Sequence, residues 1–253
     1  MRIRQVVREN LKTVRERWVE ALRSGLIAPT PQKAVSRSQA LKQILEDLTD
    51  ARGKALEELV AAFENAARGG SSVGSARLNE LLANAGGGKF SVPNLSKEVI
   101  EALEKRAALL TESIFESTLE KFNSQLGKDF TVDREIDRIM TQDPSVSEAR
   151  AEMIARTESA NSYHEGQIDA WKQSGVTDKK HFLMAAGACE FCQAVNKKYG
   201  PEGKAIPIDQ PLVKAGQTIT GTSGGTFKVG RDSQGIVHPN CRCDFIAVLE
   251  DFG

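Results

Sequence analysis

Cys189-Glu-Phe-Cys192 and His238-Pro-Asn-Cys-Arg-Cys243 are the runs in this chain whose residue types and spacing best suit chemistry. Two residues between thiolates let both sulfurs turn toward one metal ion while the intervening amides point at them. His238 and Cys241 are likewise separated by two residues. Cys241 and Cys243 stand two apart, so an extended backbone puts them on one face. Five soft or borderline donors are therefore available for a tetrahedral site that needs four.

Three other uses of these cysteines compete with a metal. Single cysteines often serve as small core residues. Pairs can form disulfides, and a Cys-x-x-Cys can be a redox dithiol, although that motif normally follows a strand of a βαβ unit and none is visible here. All four cysteines lie in the final quarter of the chain, in two clusters, and this favours zinc. The role expected for the ion is structural, because Asp178 to Gly253 is Gly-rich with few large apolar residues, and such modules often need a staple. The expected ligands are Cys189, Cys192, Cys241 and either Cys243 or His238. Alternation favours Cys243, leaving His238 to hydrogen-bond to a ligand sulfur.

The elements that must position these residues are mainly helical. Val6, Val7, Leu11, Val14, Trp18 and Leu22 make an apolar stripe on a first helix, ended by Ser24-Gly25 and Pro29-Thr30-Pro31. A second helix is expected from about Ser38 to Arg68, stopped by Gly69-Gly70-Ser71-Ser72, with a short helix over Ala76 to Ala83 before Gly86-Gly87-Gly88. Ser96 is a natural N-cap for a long helix reaching about Leu126. Asp133 opens a short helix, Pro144 marks a boundary, and a further helix runs from Ser147 to a cap at Gly175.

After Gly175 the texture becomes β-rich. Short strands are expected at His181–Met184, Ile206–Ile208, Gln217–Thr220, Thr226–Val229 and Asp244–Leu249. The fold class is therefore α+β. A boundary between Phe130 and Ser145 would give a helical region over 1–140, for docking or oligomerisation, and a cysteine-rich module over 141–253.

Composition narrows the function classes. Apolar and charged fractions of 40% and 27% are those of an ordinary globular protein, and zero formal net charge gives no overall pull toward nucleic acid. The N-terminus has no apolar signal segment, and no apolar run is long enough to span a bilayer, so a cytoplasmic protein with no membrane partner is expected. The first helix is locally basic. Arg2, Arg4, Arg8, Lys12, Arg15, Arg17 and Arg23 outnumber Glu9, Glu16 and Glu20; the stripe suits a plain solvated face first, and a weak non-specific contact to DNA or an acidic partner second.

Ala151-Glu-Met-Ile-Ala-Arg-Thr-Glu-Ser-Ala-Asn161, Gln167-Ile-Asp-Ala-Trp-Lys172, Gly175, Cys189-x-x-Cys192, Ile206-Pro207 and His238-Pro-Asn-Cys-Arg-Cys243 occur in one order over roughly Ser147 to Val248. That ordered set resembles the C-terminal module of the bacteriophage Mu F-like head morphogenesis (minor capsid) family. The resemblance implies a non-enzymatic virion component. It would associate with portal, capsid or scaffold protein during procapsid assembly in the host cytoplasm, and some members are thought to touch the packaged genome. It implies no small-molecule substrate. Members do not uniformly carry the first cysteine pair. Arg156 and Glu158 match the family's Arg-Thr-Glu element. Two apart on a helix, they do not face each other and need separate partners.

The enzymatic alternative is a zinc-dependent treble-clef nuclease of the HNH kind, with His238 and Asn240 in the active site. Only Asp232 and Asp244 lie near His238 in sequence to complete it. A zinc deaminase lacks its His-x-Glu and Pro-Cys-x-x-Cys. An ADP-ribosyltransferase built on Arg156 and Thr222-Ser223 lacks its Glu-x-Glu. Gly221-Thr-Ser-Gly-Gly225 lacks the ending of a phosphate-binding loop and reads as a hairpin turn.

Overall fold

The computed structural model describes residues 2–27, 37–92, 94–126 and 130–249. It is a mainly helical α+β fold. Five helices come first: α1 (Arg2–Arg23), α2 (Arg37–Asp47), α3 (Thr49–Asn84), α4 (Lys97–Gln125) and α5 (Val132–Ser174). Then follow β1 (Lys179–Leu183), α6 (Glu190–Tyr199), β2 (Ile206–Pro207), β3 (Thr218–Thr220), β4 (Thr226–Lys228) and β5 (Asp244–Val248). No helix is long and apolar enough to cross a membrane, among the described residues.

Two compact units make up the chain, and they do not divide at a single point near residue 140. One comprises 1–62 and 104–155, the other 63–103 and 156–253. Helical segments far back in the sequence thus belong with the β-rich end.

In the first unit, α1 buries the expected stripe, with Trp18 fully enclosed and its ring 5.9 Å from that of Phe122. Part of the basic face of α1 is engaged within the same unit. Arg4 pairs with Glu148 and Glu152, and Arg17 with Glu20 and Asp47. Pro144 does not end a helix, since α5 runs straight through it. Around the proline, Ser147 donates to the Asp143 carboxylate at 2.7 Å and Lys121 sits 3.4 Å from the same group, tying the turn together where a backbone donor is missing. The expected stop at Pro29-Thr30-Pro31 lies outside the described residues.

In the second unit, the expected helix stop at Gly69-Gly70-Ser71-Ser72 is also absent. The break falls earlier, around Leu48, and α3 continues to Asn84. Close packing against α5 is the reason for the glycines. A Cβ on Gly70 would lie 2.6 Å from the Tyr163 carbonyl carbon, and one on Gly166 would lie 2.5 Å from that of Ala67. At this crossing the backbones touch, and the Trp171 indole donates to the Gly74 carbonyl at 3.1 Å.

Further along, Ser96 caps α4 as expected, its Oγ 3.4 Å from the Val99 amide, and α5 ends at Gly175 in the left-handed region at φ +64. Strand β1 is central in an antiparallel sheet of order β2-β1-β5, and β3 and β4 form a separate hairpin across the 221–225 turn. All five expected strands are present; β1 starts two residues earlier than expected and ends one earlier, and each of the others is one residue shorter at one end. Leu78, Leu82, Ile168 and Trp171 of α3 and α5 join Phe182 and Phe245 of the sheet in one core.

Candidate metal centre

Cys189 immediately precedes α6 and Cys192 lies in its first turn, so the Cys-x-x-Cys straddles a helix N-terminus. There the unpaired amides and the helix dipole favour a thiolate. This helix was not anticipated; the spacing of Cys192, Val195 and Tyr199 along one face was its signal. The second cluster enters from the loop before β5. Asn240 adopts φ +62 and, with the Cys241 amide donating to the His238 carbonyl at 3.1 Å, turns the chain so that His238 and Cys241 approach α6.

His238 Nε2 lies 3.0 Å from Cys189 Sγ and 3.3 Å from Cys192 Sγ, and Cys192 Sγ lies 3.5 Å from Cys241 Sγ. Within each of two groups, Cys189–Cys192–His238 and Cys192–Cys241–Cys243, the donor atoms all fall within 4.8 Å of one another, and Cys192 belongs to both. Ligands about 2.0–2.3 Å from a tetrahedral ion stand roughly 3.5 Å apart, so these separations match such a donor set. All four cysteines are free, and Cys192, Cys241 and Cys243 are buried. Together with His238 these groups can hold a metal ion.

Electrostatics agree with a shared site. Hydrogen bonding to Cys241 raises the Cys192 thiol, and the same contact lowers Cys241, so the sulfurs compete for a proton. His238 Nδ1 is 2.7 Å from the Pro239 carbonyl oxygen, a contact that only a protonated Nδ1 satisfies. In the neutral ring this leaves the Nε2 lone pair facing the two sulfurs.

Surrounding elements fix the two cysteine clusters in place. Thr157 Oγ1 accepts from the Asn240 amide at 3.2 Å, Glu158 pairs with Arg231, and Ser233 bonds to Asn161 at 3.3 Å. The Arg-Thr-Glu stretch of α5 therefore grips the loop that carries His238 and Cys241. Glu158 finds its partner in the β-rich region while Arg156 is exposed, so the two do point to different surroundings. On the other side, Glu190 of the Cys-x-x-Cys accepts from the Ser223 amide at 3.0 Å. Gly221 and Gly225 let the Glu190 carboxylate lie close against the turn, since a Cβ on either would meet it and push that side chain aside. Phe227 of the hairpin stacks near Phe191 at 5.8 Å and meets His238 edge-on at 6.3 Å. These two contacts were missed in the sequence because they join residues remote along the chain.

The acids nearest His238 in sequence are engaged elsewhere. Asp232 accepts from the Ala215 amide at 2.7 Å. Asp244 binds Arg77 at 2.5 Å and His164 at 3.2 Å. Burial opposes ionisation of Asp244, yet the hydrogen bonds from His164 and Arg77 hold its carboxyl down to about 2. No family model, curated protein or solved structure matches this chain.

Proposed function

We propose that this chain is a minor capsid protein of the Mu F-like head morphogenesis kind, acting at the portal or inner capsid during procapsid assembly, with one structural zinc in its C-terminal module. The observation that carries the reading is the joining of motif elements that lie far apart in sequence. Thr157 of the Arg-Thr-Glu run holds Asn240 of the His-Pro-Asn-Cys run, and Glu158 holds Arg231. An ordered motif set whose parts build one scaffold is more telling than any of its parts.

Thiolates with one imidazole suit zinc better than hard cations. The proposed ligands are Cys189, Cys192, His238 and Cys241, because contacts of 3.0–3.5 Å link them in succession. Cys243 is then a neighbour of the site rather than a ligand. A nuclease centre on His238 would need an acidic partner, and Asp232 and Asp244 are committed to other groups. The helical segments are the proposed docking elements for portal, capsid or scaffold protein. Any DNA contact from α1 would be weak and salt-sensitive.

Elemental analysis of protein purified without chelator, run beside co-purification with the portal protein encoded next to it, tests both halves. We expect one zinc per chain, retained in Cys243→Ser and lost in Cys192→Ser, together with portal retention and no plasmid nicking. Metal near zero with all thiols titratable would reduce the cysteines to core residues. Absence from purified particles would remove the capsid assignment.

A further inference from the structure

The serines at the presumed helix stop have a use of their own. Ser71, Ser72 and Ser75 face a cleft of about 580 Å³ between α3 and the segment that follows Lys89. That volume lies within the range of small-molecule sites. Its lining carries two cations, Arg68 and Lys89, and no carboxylate among the described residues. The acid nearest Arg68 is Glu64, 3.4 Å away on the same helix and outside the lining. Ser75 Oγ, in the same lining, is shielded from bulk solvent and has no hydrogen-bond partner within the protein, so it is available to a bound oxyanion.

The facing wall is built rather than loose. Asn79 clamps Phe90 by two bonds, its Nδ2 donating to the Phe90 carbonyl at 2.7 Å and its Oδ1 accepting the Phe90 amide at 2.6 Å. Gln173 of α5 donates to the Asn94 carbonyl at 3.1 Å. Phe90, Val92 and Leu95 give this wall an apolar surface opposite the serines.

From this arrangement we infer that the cleft binds a phosphate monoester with an organic body of about nucleoside size. The phosphate would sit among Arg68, Lys89 and the serine hydroxyls, where charge-assisted hydrogen bonds are strongest. The organic part would lie on Phe90 and Leu95. This site is separate from the metal centre and does not depend on the capsid assignment.

The test is calorimetric titration of the full chain with a nucleoside 5′-monophosphate, inorganic phosphate, and an oligonucleotide carrying only diester phosphates. Saturable binding of the monophosphate is expected, competed by inorganic phosphate and weakened at least tenfold in Arg68→Gln/Lys89→Gln with an unchanged circular dichroism spectrum. Ser75→Ala, a small change on a helix, should weaken it less. Three outcomes overturn the inference: no saturable binding of the monophosphate, binding indifferent to the double substitution, or binding of the diester oligonucleotide alone.

Discussion

Gly69 and Gly70 are adjacent in α3, yet alanine should act on them with opposite sign. A Cβ on Gly69 meets nothing within 4 Å, so Gly69→Ala only removes the backbone freedom of glycine and should stabilise by about 0.5–1 kcal/mol. A Cβ on Gly70 falls 2.6 Å from the carbonyl carbon of Tyr163 and 3.0 Å from its Cα. Carbon atoms pack at about 3.5–4.0 Å, so the α3–α5 crossing must open by roughly 1 Å. The obstacle is backbone, which no rotamer change can move. Opening also stretches the 3.1 Å bond from Trp171 to Gly74. Forced separation costs about 1–3 kcal/mol and a weakened hydrogen bond about 1 more, against which the helix-propensity gain is small. Gly70→Ala should therefore lose about 1–3.5 kcal/mol net. Urea unfolding followed by Trp171 fluorescence in a Trp18→Phe background reads the unit concerned. Gly166→Ala should behave alike, and the double variant should cost less than the sum because one opening relieves both clashes. If Gly70→Ala proved as stable as Gly69→Ala, the backbone contact at this crossing would be refuted.

Two further outcomes are expected. Burial lowers the fully enclosed Lys180 to about 7 from an ordinary 10.5, while it donates to the Ile208 carbonyl at 3.1 Å and to Gln234 Oε1 at 3.0 Å. Between these values the unfolded chain binds more protons than the folded one. Stability should thus rise with pH from about 7 to 10.5, by up to about 1.4 kcal/mol per pH unit, and Lys180→Met should flatten that slope in denaturation series; an identical slope in the variant would assign it to other groups. Thr157→Val should weaken metal retention about tenfold in a chelator competition by freeing the Asn240 turn, with unchanged retention arguing against the grip of α5 on that loop.

Periodicity and turn residues located nearly all the elements, including five short strands, because alternation and glycine punctuation are local signals. Gly69-Gly70 and Pro144 misled for one shared reason. Both are helix breakers in isolation, and tertiary packing or local side-chain bonds override that preference here. The candidate metal ligands were readable as types and spacings. Their arrangement was not, since Cys192 belongs to both donor groups only once α6 and the Asn240 turn are in place. Glu190 beneath the 221–225 turn, Lys180 inside the sheet and Arg77 with His164 on Asp244 are tertiary pairings between distant residues, and nothing in the local sequence marks them.

The expectation that the C-terminal stretch needs a staple because it lacks a core takes a different form in the folded chain. Counted alone, Asp178 to Gly253 is poor in large apolar residues, but its sheet buries Phe182 and Phe245 beside Leu78, Ile168 and Trp171, which α3 and α5 supply. The core exists; it is assembled from segments a hundred residues apart. Cys192, Cys241 and Cys243 sit at the margin of that same core, whereas Cys189 reaches the surface. A metal there does not substitute for hydrophobic burial. It would tie the first turn of α6 to the loop before β5 and close the meander between them. Because the donors come together only in the folded chain, an ion bound there would favour the folded state by mass action, without needing an oxidising compartment. The candidate ligands come as two short clusters far apart in sequence, and Thr157 and Glu158 of α5 hold the loop of the second cluster in place through Asn240 and Arg231.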